Sequence, residues 1–220
     1  LNTIKHRGPH EMGEWREDSV VLVHRRLTII DLSTGQQPMQ SSDGRFVIVF
    51  NGEIYNFKEL REELRGKGIQ FKTNSDTEVL LEGFAHWGNE IVNRLNGMFA
   101  FVIWDRQKRA VFGARDRLGI KPLTWSILKG SLIVSSTLEP FSALDGFGQV
   151  DLIAVRDLLT FDYIPSPRSI LNGVYKLEPG CRFQWQLGDK TPLVERYWTP
   201  PGPDEKVEVP TEDVLERLLQ

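Results

Sequence analysis

Phe46-Val47-Ile48-Val49-Phe50 is apolar at every position, and so is Met98-Phe99-Ala100-Phe101-Val102-Ile103-Trp104. A strand with one wet face alternates apolar and polar residues; an unbroken apolar run suits a strand covered on both faces. Two such runs therefore predict sheets stacked inside a molecule, not a single sheet lying on its surface. The second run passes through Asp105-Arg106-Gln107-Lys108 into Ala110–Ala114, which reads as a hairpin. Leu123–Leu128 with Ser131–Ser135, and Cys181–Leu187 with Leu193–Trp198, read as two more, and Ser19–Val23 as a further strand. Helices are fewer. Phe57, Leu60 and Leu64 form one apolar stripe among charged residues, closed by Gly66 or Gly68. Ser75-Asp76-Thr77-Glu78 has capping-box spacing, followed by Val79, Leu80, Phe84 and Trp87 as a buried side and Gly88 as the stop. Asp151 caps a third helix through Ile153, Val155, Leu158 and Leu159. The expected fold class is α+β with stacked antiparallel sheets.

The surrounding composition is that of an ordinary globular chain. Of 220 residues, 40% are hydrophobic and 26% charged, and 27 Lys+Arg against 30 Asp+Glu leave a net charge of −3. No cationic surplus exists to neutralise a phosphate backbone, so nucleic acid is a poor partner. No run approaches the roughly 18 apolar residues of a membrane span. The single cysteine, Cys181, rules out an internal disulfide and points to a reducing, cytoplasmic setting. It follows Gly180 at the start of a strand and reads as a small packing residue. Pro200-Pro201-Gly202-Pro203-Asp204-Glu205 reads as a linker, and Thr211 as the cap of a helix through Val214, Leu215, Leu218 and Leu219. The chain begins Leu1-Asn2-Thr3 and ends within that helix, so both ends read as cuts.

Few residues carry a chemical signal of their own. Asn51-Gly52, directly after the first apolar run, has two readings. One is a plain hairpin turn. The other is a pair of N–H donors, the Gly52 backbone and the Asn51 amide, suited to an oxyanion in acyl transfer. Arg26 is either a solvated strand-end residue or a planar fork for a carboxylate. Asp76 either complements a helix N-terminus or accepts from an ammonium group. His6, His10, His24 and His86 lack the spacing of a metal site. No phosphate-binding P-loop and no Gly-x-Ser-x-Gly elbow occur.

Six motifs stand in order: His6-Arg7-Gly8-Pro9, Arg26-Leu27-Thr28-Ile29-Ile30-Asp31, Asn51-Gly52-Glu53-Ile54-Tyr55-Asn56, Ser75-Asp76-Thr77-Glu78-Val79, Leu95-Asn96-Gly97-Met98-Phe99-Ala100-Phe101, and Ala114-Arg115-Asp116-Arg117-Leu118-Gly119-Ile120-Lys121-Pro122-Leu123. Together they resemble the glutaminase domain of the glutamine-hydrolysing asparagine synthetases, class II glutamine amidotransferases with an N-terminal nucleophile. The resemblance runs from His6 to about Trp198. It implies a four-layer αββα sandwich with the first strand missing. It implies that Arg26 binds the α-carboxylate of glutamine, with Leu27, Ile29 and Ile30 lining the pocket. Asn51 and Gly52 would form the oxyanion hole, and Glu53 and Asp76 would contact the amino group.

By the same resemblance, residues 1–199 are the glutaminase domain, and residues 200–220 are a linker and the start of a synthetase domain. That domain would use ATP and magnesium to amidate aspartate with ammonia released here, in asparagine biosynthesis. The glutaminase domain itself needs no cofactor or metal. The partners implied are L-glutamine and the synthetase domain, with room for a homodimer and none for a membrane or nucleic acid. The family's mature chain starts with a cysteine whose thiolate attacks the amide; this chain holds none there and is expected to be inactive by itself. Other departures are His10, where the family has Asp, and Thr124-Trp125 and Ser136-Thr137-Leu138-Glu139, where it has other aromatic and acidic patterns. The alternatives are a non-catalytic scaffold domain, or a glutamine-dependent synthetase with another acceptor.

Overall fold

The structure, a computed structural model, describes residue 8, residues 11–26 (for residue 26, the backbone) and residues 35–202. Three antiparallel sheets organise these residues. β1 (Glu11–Glu17) and β2 (Val20–Arg26) form a two-stranded ribbon with Glu11 opposite Arg26. A six-stranded sheet combines β3 (Met39–Gln40), β4 (Phe46–Ile54), β5 (Gly97–Asp105), β6 (Ala110–Arg115), β10 (Cys181–Gln186) and β11 (Leu193–Arg196), in the order β11-β10-β6-β5-β4-β3. A third sheet has β7 (Thr124–Leu128) between β8 (Ser131–Ser135) and β9 (Tyr175–Lys176).

The apolar runs behave as their composition requires. On one face of the six-stranded sheet, Phe46, Ile48, Phe50 and Ile54 of β4 join Phe99, Phe101 and Ile103 of β5 in a core closed by helices. The helices are α1 (Phe57–Gly66) and α2 (Asp76–Trp87), with the short α3 (Ile91–Arg94) beside them. Leu60, Leu64, Leu80, Leu81 and Phe84 bring the helix side of that core. On the opposite face, Ala100, Val102, Cys181 and Phe183 pack with Leu123, Trp125, Leu132 and Val134, so the three-stranded sheet is stacked there. The Phe183 ring lies where a Cβ on Gly113 would be, 2.3 Å from its Cε1, so a glycine in β6 permits the stacking. The architecture is an α+β sandwich of stacked antiparallel sheets flanked by helices.

Local signals explain most boundaries. Ser75 Oγ accepts from Glu78 N at 3.2 Å, the first half of a capping box. The second half differs from expectation: the Glu78 carboxylate turns upstream to Lys72 N and Thr73 N, both at 2.7 Å, and ties the preceding loop to the helix. Gly88 ends α2 at φ 61°, a conformation that suits a residue without a Cβ. The remaining helices are α4 (Glu139–Ser142) and α5 (Leu152–Phe161), the latter capped by Asp151 through Ile153 N and Ala154 N. Ala154 is the one fully buried residue of α5, while Leu152 is 80% and Leu159 81% exposed; the apolar side expected of this helix is not covered by the described residues. β1, a polar heptapeptide, was not foreseen from its composition. The helix expected from Thr211 lies outside the described residues.

Candidate active site

The Asn51-Gly52 dipeptide is not a hairpin turn. β4 continues straight through it to Ile54, paired with β5 at Asn51–Ala100, Gly52–Phe99 and Glu53–Met98. The strand's own hydrogen-bond geometry then fixes where the Gly52 amide points. In an antiparallel pair, the backbone groups of successive residues face alternately toward and away from the partner. Opposite Gly52, Phe99 directs both its N–H and its C=O to Asp116, away from β4 (3.2 and 2.8 Å). The pair is therefore of the non-hydrogen-bonded kind, and the Gly52 N–H faces the other edge of β4. Its neighbours two residues away face that edge too, and both have acceptors: Phe50 N donates to Gln37 Oε1 at 2.6 Å, and Ile54 N to Asp76 Oδ2 at 3.0 Å. Between them the Gly52 N–H has no acceptor among the described residues. Glycine is required here by space: a Cβ would lie 2.2 Å from Met98 O and 2.8 Å from Phe99 Cα.

Asn51 stands on the other face of the strand, level with Ala100, the face that the second sheet covers. Its amide has no hydrogen-bond partner among the described residues. One backbone N–H and one carboxamide N–H of adjacent residues are thus left without acceptors among the described residues; donors of these two kinds stabilise a negative oxygen where they converge on it.

Asp76 is brought to the same strand from a different direction. As the first residue of α2, it extends its carboxylate to Ile54 N, two residues beyond Gly52. Burial pushes its carboxyl group above the ordinary range, against the pull of backbone N–H donors, and the nearby Glu53 carboxylate pushes the same way. Two acids so placed favour a cation between them. Arg26 closes β2, two residues beyond His24, whose Nε2 contacts Phe50 O at 3.1 Å. Leu27, Ile29 and Ile30 lie outside the described residues. The structure thus places Asp76 beside Glu53 and Ile54, two residues from Gly52 along β4, while Asn51, in the same stretch, stands on the face toward the second sheet.

Residues without an assigned role in the sequence turn out to hold the site. Asp116, fully buried, accepts from Phe99 N, Leu118 N, Ile120 N and Lys121 N, and so fixes β5 opposite Gly52 together with the following loop. Arg115 gives one N–H to each of Lys121 O, Leu177 O and Gly119 O at 2.6–2.7 Å. Asn56 clasps the 94–96 segment, donating to Arg94 O and accepting from Asn96 N. Only the motif in which Asp116 and Arg115 stand hinted at them, and spacing alone assigns them no partner. Cys181 is 2% exposed and burial raises its thiol above the ordinary range, which suits packing and not nucleophilic attack. Among the described residues, no cluster of His, Cys, Asp or Glu can hold a metal, and no helix is long and apolar enough to cross a membrane.

Comparison with known proteins places the chain in a family. The family model of the glutamine amidotransferase domain matches residues 1–198. The asparagine synthetase [glutamine-hydrolyzing] 1 of Bacillus subtilis is 41% identical over 180 residues, covering 82% of this chain and 28% of the relative. A putative asparagine synthetase [glutamine-hydrolyzing] of Mycobacterium bovis is 40% identical over 211 residues, covering 90% and 32%. The amidase chry2 of Gibberella zeae is 35% identical and spans 100% of this chain and 33% of its own. The chain therefore spans about a third of the length of these relatives. Among solved structures, the glutamine phosphoribosylpyrophosphate amidotransferase of B. subtilis shares the fold, with a TM-score of 0.54 at 22% identity over 82% of this chain and 35% of its own. By sequence along most of its length and by fold, the chain belongs to the glutamine amidotransferase domain family.

Proposed function

We propose that this chain is the glutaminase domain of an ATP-dependent asparagine synthetase, binding L-glutamine and releasing ammonia. The observation that carries the reading is the Gly52 N–H, without an acceptor between two neighbours that have one, beside the Asn51 amide. In the proposed reaction, a cysteine thiolate at the start of the longer polypeptide adds to the side-chain amide carbon of glutamine. Charge then develops on the amide oxygen, where Gly52 N–H and Asn51 Nδ2–H donate to it. The C–N bond breaks as nitrogen takes a proton and leaves as ammonia, and water cleaves the thioester to glutamate. Glu53 and Asp76 hold the α-ammonium group, and Arg26 the α-carboxylate. Residues 1–199 form this domain. Its partner is a synthetase domain using ATP and magnesium, with aspartate as the acceptor. A second reading, another acceptor, is favoured by the likeness of the whole chain to a relative named as an amidase.

The test uses Asn51→Ala in a polypeptide extended to begin with the family's cysteine. A donor that meets the oxygen only as charge forms lowers the barrier more than it helps binding. Ammonia release should fall by about 10²–10³ in kcat, with glutamine binding within a few-fold of the parent protein. A kcat close to the parent's, in a folded variant, would remove Asn51 from the oxyanion hole. Failure of the parent to bind glutamine would overturn the functional reading as a whole.

A further inference from the structure

A cavity of about 400 Å³ is walled by the start of β7, the 136–138 turn, the 163–166 loop and β9. Two cationic side chains line it, Arg115 from β6 and Lys176 from β9, and no carboxylate does among the described residues. Arg115 uses three of its five N–H donors on the carbonyls already named, and Lys176 uses one of its three on Ile164 O at 2.7 Å. Donors therefore remain on both. The Asp116 carboxylate acts on Arg115, but its oxygens are engaged by four backbone N–H groups, and among the described residues no acid is paired with Lys176. Burial, and the Arg115 charge after it, hold the Lys176 ammonium below its ordinary range. Two like charges brought together in a partly dry cavity are unfavourable unless an anion lies between them.

A second observation points the same way. Thr137, in the cavity wall, has a hydroxyl that is buried without any hydrogen-bond partner. Such a group carries a desolvation penalty, and a small shift of the 136–138 turn that let a ligand oxygen meet it would relieve that penalty. Leu123, Leu138 and Ile164 supply an apolar wall next to these polar groups, the usual make-up of a small-molecule site.

We propose that this cavity binds a small organic oxyanion, a carboxylate or a phosphate ester, with its charged head between Arg115 and Lys176 and, after a small shift of the 136–138 turn, in contact with the Thr137 hydroxyl, and its apolar part against Leu123 and Ile164. The site is distinct from the Asn51–Gly52 donors and rests on none of the glutaminase assignments.

The experiment is calorimetric titration of the 220-residue chain with isovalerate and, separately, with phenyl phosphate, at ionic strength held constant with sodium chloride. One-to-one binding of at least one probe is expected, and the tighter of the two identifies the head group. Lys176→Gln should weaken that binding at least ten-fold, while Lys176→Arg keeps it within a few-fold. Thr137→Val should weaken binding and also raise the melting temperature of the ligand-free protein, because it removes an unpartnered buried hydroxyl. Should Lys176→Gln fail to fold, Thr137→Val decides alone. Absence of binding by both probes to the parent protein would overturn the proposal. So would unchanged affinity in Lys176→Gln or in Thr137→Val.

Discussion

Replacing Gly52 by Ala tests the fold and the proposed chemistry in one variant. The added Cβ would lie 2.2 Å from Met98 O, while ordinary contact begins at 3.4 Å, so the two strands must part by 1.2 Å at that point. β5 cannot easily supply the movement: Phe99 N and O are both bound to the buried Asp116, which also holds the loop beyond β6. A third neighbour, Phe50 Cε2 at 2.9 Å, belongs to the same core. Most of the shift therefore falls on β4 and carries the Gly52 N–H with it. Overpacking of this kind costs about 1–3 kcal/mol, which for a domain of this size lowers the melting temperature by roughly 2–12 °C. A displacement of about 1 Å in a catalytic donor costs on the order of 10² in rate. The measurements are scanning calorimetry of the chain and ammonia release from glutamine by the polypeptide extended to the family's cysteine. A Gly52→Ala protein with the parent's melting temperature would show that β5 yields and the close approach is slack. A destabilised one with the parent's kcat would show that the Gly52 N–H takes no part in the reaction.

Two further outcomes bear on substrate binding. Asp76→Asn should weaken glutamine binding about ten- to hundred-fold, the loss of one charge-assisted hydrogen bond, read by titration calorimetry. The same change should stabilise the fold: Asp76 titrates above its usual 3.8 in the folded protein, so wild-type stability declines as pH rises from there through the raised value, and the amide escapes this decline. The melting-temperature advantage of Asp76→Asn should thus grow with pH across that window and level off above it; an advantage that shrinks with rising pH would contradict the burial argument. Arg26→Ala, in a full synthetase polypeptide, should raise the KM for glutamine about ten- to hundred-fold and leave product formation from ammonium salts unchanged. Equal loss with both nitrogen sources would make Arg26 structural.

The sequence was most informative where the determinant is local. The apolar runs of β4 and β5, the Ser75 and Asp151 caps and the hairpin at Lys129-Gly130 are each decided by a handful of neighbouring residues. Asn51-Gly52 shows the limit. As a dipeptide it carries a turn signal, and what keeps it extended is the pairing with Ala100 and Phe99, nearly fifty residues away. The four donors to Asp116 and the meeting of Arg115 with Lys176 are likewise made by the assembled sheets. α5 fails in the opposite sense: its sequence forms the helix, but its leucines find no cover among the described residues. The motif residues Asn51, Gly52 and Asp76 were legible through the resemblance, whereas the reason Gly52 offers its amide appears only in the strand register.

Phe50, Gly52 and Ile54 direct their amides to one edge of a strand, and a strand is a rigid scale. Its divisions are two residues apart, about 6.8 Å. Gly52 N–H marks one division, and Ile54 N–H, with the Asp76 carboxylate upon it, marks the next. A molecule that reaches both marks, as proposed for glutamine, has its length set by the pitch of the strand together with the Asp76 side chain that the Ile54 N–H anchors. On that proposal asparagine, one methylene shorter than glutamine, would fall short of the second mark with its amide oxygen at the first. A synthetase whose product is asparagine would then be guarded against hydrolysing that product by the pitch of β4 itself.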